Sequence, residues 1–330
     1  CVFLFLVFIS FCCALIQIDN STLQYVDSSG HTRIFHGVNA VYKIPPWYPE
    51  LETFNTYSSL VPEDMDHLQN WGFNVVRLGV MWPGVSIARG QYNQTYLDVM
   101  NGLVNELGTY GIYTIVDCHQ DLFSRYFCGE GAPDWAVPQD QILKFPLPVR
   151  SPSTLIIDPV TGYPNISSCE ETSFFEYYFT GAVGNAFQEL YDNTNGLQDD
   201  FIAYWQQVAQ TFKNNPNVLG YELINEPWCG DVLKDPESIF PKFADENYLF
   251  PMYQTLNSAI RSIDNEHIIF YEAAVSDITP AGFTQGPGGP TYNNRQAYSY
   301  HVYCAPTDSD GDPTKPVFCN DTLDITFNGK

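Results

Sequence analysis

Short apolar runs rich in β-branched residues alternate along this chain with amphipathic stretches, and this alternation is the strongest constraint on its fold. The pattern is typical of parallel βα units rather than of a β-sandwich. Six strands are predicted, over residues 33–39, 74–80, 111–117, 217–224, 267–272 and 297–303. Helices are predicted between them, near residues 62–71, 96–107, 197–213 and 250–263.

A βα series of this kind closes as an eight-fold barrel or stays open as a doubly wound sheet. The first predicted strand is not followed by a glycine-rich phosphate-binding turn, which disfavours the open nucleotide-binding sheet. The sequence therefore predicts an α/β protein of the (β/α)8 TIM-barrel class, with one domain over residues 17–330 that covers about the first six βα units. Residues 121–196 are far longer than an ordinary loop and are predicted to form a lid or an insertion.

The acidic composition limits the partners that the protein can attract by charge. Its 38 acidic and 14 basic residues give a net charge of −24. Such a charge argues against nucleic acid or an anionic membrane as an electrostatic partner. A neutral or cationic substrate, or an acidic working compartment, is expected instead.

Residues 1–16 form an apolar segment that predicts the core of a secretory signal peptide. The segment has no initiator Met and no basic leader, so we expect this signal peptide to be incomplete at its N-terminus. It is shorter than the roughly 20 residues of a spanning helix, and a membrane anchor is the weaker alternative. Four N-glycosylation sequons, at Asn20, Asn93, Asn165 and Asn320, independently favour a secreted glycoprotein.

Beyond this segment the chain holds an even number of cysteines, which suits an oxidising compartment. They are Cys118, Cys128, Cys169, Cys229, Cys304 and Cys319. Many pairings are possible. A disulfide between Cys304 and Cys319 is favoured, because it would close one short polar loop. The alternative is that some of these cysteines are buried thiols.

Polar side chains accumulate at the ends of the predicted strands. In a TIM barrel the active site lies where the strands end, so these residues are candidates for the site. They are Asn39, Lys43, Arg77, Asp117, His119, Asp121, Asn225, Glu226, Glu272, His301 and Tyr303. Taken singly, Arg77 also fits a structural ion pair and His119 an interior histidine. Glu226 is the strongest candidate, since it directly follows Asn225 at the end of an apolar run.

Asn225 and Glu226 fit the chemistry of glycoside hydrolysis. This reaction needs a carboxylic acid that protonates the leaving oxygen and a second carboxylate that attacks the sugar or activates water. A neighbouring amide can hydrogen-bond the sugar 2-hydroxyl, a contact that strengthens toward the oxocarbenium-like transition state. Two carboxylates suffice, so neither a metal nor an organic cofactor is predicted.

Several stretches resemble glycoside hydrolase family 5, the cellulase-like retaining barrels. The residues that carry this resemblance are Arg77, His119, Asn225, Glu226, Pro227, His301 and Tyr303. The stretches HGVNAVYK, VDCHQDLFSRYFCGEGAPDWA and YELINEPW closely resemble the endoglycoceramidases of this family, which release the whole glycan from glycosphingolipids. The similarity runs over about residues 33–304.

The resemblance implies a role for individual residues. Glu226 would be the acid/base of a retaining mechanism. The residues implied to bind the sugar beside the scissile bond are Asn225, His119, Asp121, Lys43, Asn39 and His301. Those implied to orient the nucleophile are Arg77 and Tyr303.

In this family the nucleophilic glutamate ends the seventh strand, whereas after Tyr303 this chain offers a polar loop and a short tail. We therefore expect the sequence to be cut short at both ends and the nucleophile to lie beyond residue 330, which would leave this stretch inactive alone. Glu272 is the other strand-end glutamate, but it closes the fifth strand rather than the seventh.

The function implied by the resemblance is a retaining hydrolase, secreted or lysosomal, that cleaves the β-linkage between oligosaccharide and ceramide. Alternatives are a β-glucanase or glucosylceramidase of the same family, and a glycan- or glycolipid-binding protein that has lost catalysis. The aromatic stretch FFEYYF at residues 174–179 either lines a path for the lipid chains or packs under the long insertion. Transient contact with membrane or micelle lipids is expected, and none with nucleic acid.

Overall fold

A six-stranded parallel sheet forms the centre of the protein in the computed structural model, which describes residues 15–275 and 281–301. The strands are β1 (Gln17–Ile18), β2 (Tyr25–Val26), β3 (Gly37–Ala40), β4 (Val75–Gly79), β5 (Ser86–Ala88), β6 (Gln91–Tyr92), β7 (Tyr113–Asp117), β8 (Val218–Glu222), β9 (Ile268–Glu272) and β10 (Gln296–Ser299). The central sheet has the order β3, β4, β7, β8, β9, β10, and every neighbouring pair is parallel.

Helices connect the strands of this sheet. They are α1 (Pro62–Asn70), α2 (Trp82–Val85), α3 (Gln94–Thr109), α4 (Gln139–Ile142), α5 (Ile166–Cys169), α6 (Gly181–Tyr191), α7 (Leu197–Phe212) and α8 (Phe250–Arg261). Short 3-10 helices cover Arg125–Phe127, Asp134–Ala136, Pro152–Thr154, Phe174–Phe179, Thr194–Gly196, Pro236–Ile239 and Pro290–Arg295. A π-helical turn, Asp245–Leu249, leads directly into α8.

The strand order follows the chain without reversal, as in a barrel; an open doubly wound sheet reverses its order at a switch point. The six predicted strands and the four predicted helices are confirmed, with shifted boundaries. The sixth strand was predicted over 297–303 and ends at Ser299, and the first was predicted over 33–39 and begins at Gly37. The preceding residues turn toward β2 instead, where the Arg33 N–H donates to the Tyr25 carbonyl at 2.8 Å.

The core lies between the sheet and the helices that cover it. β8 and β9 are buried along their whole length, and α3 and α7 each bury one face. Two polar groups on α7 lie within this core: Tyr204 Oη donates to the Val80 carbonyl at 2.5 Å, and Trp205 Nε1 donates to the Leu223 carbonyl at 3.1 Å. Both carbonyls lie just beyond the end of a strand, so the helix fixes the strand ends as well as the sheet.

A small antiparallel hairpin of β1 and β2 covers the end of the sheet at which the strands begin. It packs near a second apolar cluster formed by Ile16, Val75, Tyr113, Leu219, Ile268 and Phe270. Most of these residues lie at or near the start of β4, β7, β8 or β9. Apolar packing thus covers much of the amino-terminal ends of the strands, where His267, just before β9, is buried against Asp264 with Nδ1 and Oδ2 2.6 Å apart.

The long segment 121–196 between β7 and α7 carries α4, α5, α6 and a disulfide between Cys128 and Cys169, whose Cα atoms are 5.7 Å apart. The spacing of the cysteines in the sequence did not predict this pair. The favoured pair, Cys304 and Cys319, lies outside the described residues. Cys118 is a buried thiol, as the sequence alternative allowed for some of the cysteines.

Within residues 15–275 and 281–301, no helix combines the length and the apolar character that a membrane crossing requires. Residues 1–14 of the predicted signal peptide lie outside these ranges. The assignment of residues 1–16 to a leader and of 17–330 to one domain stays a prediction.

Removal of the disulfide by the double substitution Cys128→Ala and Cys169→Ala should lower the free energy of unfolding by about 2 to 4 kcal/mol, because the bridge closes a loop between residues separated by 41 positions. Urea unfolding followed by fluorescence measures this loss. Cys118→Ala is the control and should cost about 1 kcal/mol. A wild-type unfolding curve that does not change when reductant is added would contradict the bridge.

Candidate active site

Arg77, on β4, lies at the centre of a buried polar cluster at the carboxyl ends of the strands. Its Nε donates to the Glu222 carboxylate, its Nη2 donates to Asn225 Oδ1 at 2.9 Å, and its Nη1 lies 3.0 Å from Asp117 Oδ2. Burial alone would lower the pKa of Arg77, but the carboxylates of Asp117, Glu222 and Glu272 raise it above its ordinary value. The guanidinium is therefore charged and joins β4 to β7, β8 and the loop after β8.

His119, which follows β7, faces a carboxylate with each ring nitrogen. Nδ1 lies 2.8 Å from Asp117 Oδ2, and Nε2 lies 3.5 Å from Asp121 Oδ2. Burial lowers the pKa of His119, but the two carboxylates outweigh burial and raise that pKa to about 9. The ring is therefore an imidazolium at neutral pH, and both nitrogens donate.

Lys43, in the loop after β3, contacts the Asp121 carboxylate and lies 2.9 Å from Glu130 Oε1. Asp121 and Glu130 also pair through their backbones, with N–H to carbonyl distances of 2.9 and 2.8 Å. Burial and the Asp121 charge together raise the pKa of Glu130 to about 8. At neutral pH one proton therefore stays on Glu130, and Lys43 pairs with the charged Asp121.

Asn225 and Glu226 lie in the chain segment that leaves β8. The Asn225 N–H donates to the Cys118 carbonyl at 3.0 Å, and its side-chain Nδ2 donates to the Gln120 carbonyl at 2.9 Å. Glu226 is 9% exposed and has a φ of +39°, in the left-handed region that non-glycine residues rarely adopt. The pair is thus fixed by the segment that follows β7.

The Glu226 carboxyl group meets a histidine and a second glutamate. Glu226 Oε1 lies 2.5 Å from His301 Nδ1, and the Glu226 N–H donates to Glu272 Oε2 at 3.0 Å. His301 Nε2 lies 3.3 Å from Glu272 Oε1. Burial, and then the neighbouring Glu222 carboxylate, raise the pKa of Glu272 well above its ordinary value. The protonated form of Glu272 is therefore favoured more than in an exposed glutamate.

Nine of the predicted site residues have an implied role, and the structure brings seven of these together: Lys43, Arg77, His119, Asp121, Asn225, Glu226 and His301. The strand-end candidates Asp117 and Glu272 lie in the same cluster. Asn39 stands beside Arg77 in the β3–β4 register, on an edge strand of the described sheet, and is exposed. Tyr303 lies outside the described residues. The roles implied for all nine stay predictions, and geometry alone supports the grouping.

Sequence reasoning missed three members of the cluster, namely Gln120, Glu130 and Glu222. A sequence signal existed for Glu222, since it is a carboxylate inside a wholly apolar strand and such a group costs free energy without a partner. Glu130 lies in the quoted GEGAPDWA stretch but not at a strand end. Nothing in the local sequence singles out Gln120, whose contacts within the site, with Asn225 and Glu226, are distant in the chain.

Among the residues that the structure describes, two groups of side chains bring metal-ligand atoms within 4.8 Å of one another: His119, Asp121 and Glu130, and Glu222, Glu272 and His301. The first group faces the Lys43 ammonium and the second faces the Arg77 guanidinium. These protein cations already compensate the carboxylate charge that a metal would otherwise compensate. The expectation of a metal-free site stays a prediction.

Carboxyl groups and an amide gathered at the carboxyl ends of parallel barrel strands form the type of site found in barrel glycosidases. A model of the cellulases of glycosyl hydrolase family 5 matches residues 26–328, which is most of the chain. This chain belongs to glycosyl hydrolase family 5. The fold of the family is a (β/α)8 barrel, and the six parallel strands described above are consecutive strands of it.

Named relatives narrow the comparison. The chain is 46% identical over 293 residues to an endoglycoceramidase of Hydra vulgaris, covering 88% of this chain and 56% of the relative. It is 44% identical to an endoglycoceramidase of Cyanea nozakii, covering 88% and 58%. Among solved structures it is similar to endo-glycoceramidase II of Rhodococcus sp. in an iminocyclitol complex, with a TM-score of 0.69, 25% identity and coverage of 91% and 62%. The chain thus spans somewhat over half the length of these curated relatives.

The protonated Glu130 should make the protein more stable at acid pH. Its pKa rises from an ordinary 4.5 to about 8 on folding, so its contribution is full below 4.5 and is lost as the pH rises through 8. Glu130→Gln should remove this loss, because the amide cannot ionise. Urea unfolding across this pH range measures the slope.

Two comparisons make this measurement specific. His119, whose pKa rises from 6.5 to about 9, should leave a residual loss at the alkaline end in both proteins. Glu106→Gln, at an exposed site on α3, is the matched control and should keep the wild-type slope. Parallel stability curves for wild type and Glu130→Gln would show that Glu130 ionises normally.

Proposed function

We propose that this chain is the catalytic part of a retaining glycosidase that cleaves the β-linkage between oligosaccharide and ceramide in glycosphingolipids. The observation that carries the proposal is the Glu226 carboxyl group, held 2.5 Å from His301 Nδ1 and directly after an Asn225 fixed by Arg77. The names of the two relatives above, both endoglycoceramidases, support the substrate class. The relatives are longer than this chain, so their substrates are a proposal here.

Glu226 is the acid/base in this mechanism. As an acid it protonates the glycosidic oxygen that leaves with ceramide; as a base it then takes a proton from the water that releases the sugar. The His301 ring is in hydrogen-bond distance of its Oε1 and fixes one carboxyl oxygen. The other oxygen can then face the leaving group.

Asn225 supplies a donor for the reacting sugar. Its Oδ1 accepts from Arg77 and one N–H of its amide donates to the Gln120 carbonyl, which sets the orientation of the amide. The second N–H of the amide can donate to the sugar 2-hydroxyl, a contact that strengthens in the transition state. Lys43, Asp121 and the Asn39 side chain are proposed to bind the same sugar.

Aromatic side chains pack around Trp228, close to Glu226 in the chain, and suit the lipid. Trp228, two residues on, is fully buried, and the rings of Phe175 and Phe179 pack edge-on against it with centroids 6.1 and 5.1 Å away. Phe174 and Phe175 are about half exposed, whereas Tyr177 and Tyr178 in the same stretch are buried. The exposed rings are proposed to contact the ceramide chains in a membrane or micelle.

The second carboxylate of the mechanism is proposed to be the glutamate that ends the seventh strand in this family, with Arg77 and Tyr303 orienting it. Glu272 does not suit this role. It is 3% exposed, and its Oε2 is occupied by the Glu226 N–H. A nucleophile needs both an ionised carboxylate and access to the sugar.

A glucosylceramidase is the second candidate, because the chain is also 28% identical over 195 residues to a glucosylceramidase of Rhizopus delemar. The two candidates differ in the bond they cleave within a longer glycolipid. Incubation of the full-length protein with lactosylceramide should release intact lactose if it is an endoglycoceramidase. Glucosylceramide hydrolysis without lactose release would favour the second candidate, and cellulose oligomers test for a β-glucanase.

We also propose that the protein is a secreted or lysosomal glycoprotein. Asn20 and Asn165 are exposed, Asn93 is half-buried at the start of α3, and Asn320 lies outside the described residues. Expression in a eukaryotic secretory host should attach glycans at Asn20 and Asn165, which peptide mass spectrometry before and after glycosidase treatment detects. Asn165→Gln should remove one glycan, and unmodified peptides at both sites would contradict secretion through this route.

Glu226→Gln in the full-length protein should reduce glycolipid hydrolysis by about 10² to 10⁴-fold or more and leave substrate binding nearly unchanged, because the amide keeps the shape but cannot donate the proton. An aryl glycoside with an acidic phenol needs little protonation, so its first step should survive and the glycosyl-enzyme should accumulate. Added azide should then restore turnover and give a β-glycosyl azide.

The control for this experiment is Glu237→Gln, an exposed glutamate in the loop after β8, which should keep wild-type activity. An azide product of inverted anomeric configuration would exclude a retaining mechanism. Full activity of Glu226→Gln on glycolipid would show that another group is the acid/base.

A further inference from the structure

We propose that Glu272 and Gln120 are positioning residues. They hydrogen-bond the backbone N–H and the backbone carbonyl of Glu226 and so hold its acid/base carboxyl group in place. Glu272 accepts from the Glu226 N–H, and Gln120 donates to the Glu226 carbonyl. The inference rests on the proposed acid/base role of Glu226. It assigns to two buried side chains a function that neither the sequence motifs nor the polar strand ends predicted.

The Glu226 backbone needs these two hydrogen bonds because its conformation is unfavourable by itself. Its φ of +39° brings the Cβ atom close to the backbone, and a residue with a side chain adopts it only where the surroundings hold it. β8 has ended at Glu222, so the ladder of the sheet does not continue through this residue. Pro227, which follows, has no N–H that could anchor the next peptide.

Glu272 binds the backbone N–H of Glu226. It is the last residue of β9, the strand next to β8, and its Oε2 lies 3.0 Å from the Glu226 nitrogen. The carboxyl group is 3% exposed, so its rotamer is confined by packing. A buried backbone N–H without an acceptor costs free energy, and the left-handed conformation is retained because this acceptor is supplied.

Gln120 binds the backbone carbonyl of Glu226. Its Nε2 donates to the carbonyls of Asn225 and Glu226 at 2.7 and 2.9 Å, and its Oε1 accepts from the Phe123 N–H at 2.9 Å. Both ends of the amide are therefore engaged, which prevents it from turning. The same residue accepts from Asn225 Nδ2 through its backbone carbonyl, so the sugar-binding amide and the acid/base are held by one residue.

The contact through one oxygen of Glu272 makes the proposal testable by an isosteric change. The Glu272 carboxyl group holds the Glu226 N–H through Oε2 alone. Burial and Glu222 raise its pKa, and the other groups that face it are the Arg77 guanidinium at 3.6 Å and His301 Nε2 at 3.3 Å. The amide of glutamine offers the same acceptor, whereas leucine offers none.

The decisive comparison is Glu272→Gln against Glu272→Leu in the full-length protein. We expect Glu272→Gln to retain kcat and KM within about threefold of wild type. Glu272→Leu should lower kcat on glycolipid by about 10- to 100-fold, since a shift of about 1 Å in a catalytic group costs up to about 100-fold, while KM changes little. On the aryl glycoside with an acidic phenol its glycosylation step should fall by less than about threefold, because little protonation is needed.

Gln120→Leu tests the carbonyl side independently. Its loss of kcat should depend on the leaving group in the same way as that of Glu272→Leu. The fold loss of kcat in the double variant should be smaller than the product of the two single losses, because both residues hold the backbone of Glu226. Gln296→Leu is the matched control: this buried glutamine on β10 binds Gly288 and Gly289, away from Glu226. It should lower the melting temperature without changing the dependence of rate on the leaving group.

Three results would overturn the inference. The first is an inactive but folded Glu272→Gln, which would point to an ionised or nucleophilic Glu272. The second is an equal loss on glycolipid and aryl glycoside in both leucine variants, which indicates general damage. The third is wild-type kinetics in both. If wild type cleaves the aryl glycoside but no glycolipid, the proposed substrate fails while the comparison among leaving groups still reports on Gln120 and Glu272.

Discussion

The buried guanidinium of Arg77 is the interaction on which the rest of the structure depends. It meets carboxylates at the ends of β7 and β8 and the amide of Asn225, so the strand ends can approach one another without unbalanced charge. Removing one partner from a buried ion pair costs about 3 to 5 kcal/mol, because the other charge is left uncompensated in a medium of low polarity. Stability of the barrel at this end and geometry of the site are therefore set by the same contacts.

Burial and a neighbouring carboxylate raise the pKa of Glu272, beside Glu222, and of Glu130, beside Asp121. Had every carboxyl group of the site ionised, the cations present would not compensate the charge. Glu272 accepts from the Glu226 N–H, while Arg77, Lys43 and the imidazolium of His119 lie against the other carboxylates. Electrostatics and backbone conformation thus act together on the carboxyl group of Glu226, the proposed acid/base.

Much of the architecture could be predicted because it is encoded locally. Each strand of the central sheet is a short apolar run, and each long helix has one apolar face, so β4, β7, β8 and β9 were located within a few residues. The start of β3 was wrong because residues before Gly37 pair with β2, a contact between segments that no periodicity reveals. The Cys128–Cys169 bridge was missed for the same reason, since spacing alone does not say which thiols meet.

The sequence by itself determined the order of the βα units and placed Asn225 and Glu226 at the end of a buried strand, because apolar periodicity and strand ends are properties of neighbouring residues. The tertiary structure alone decided which side chains surround them. Arg77 and Glu222 are 145 positions apart, and Gln120 and Glu226 are 106 apart, yet each pair is in hydrogen-bond contact. Protonation of Glu130 and Glu272 depends on such contacts and on burial, and these quantities exist only once the strands are side by side.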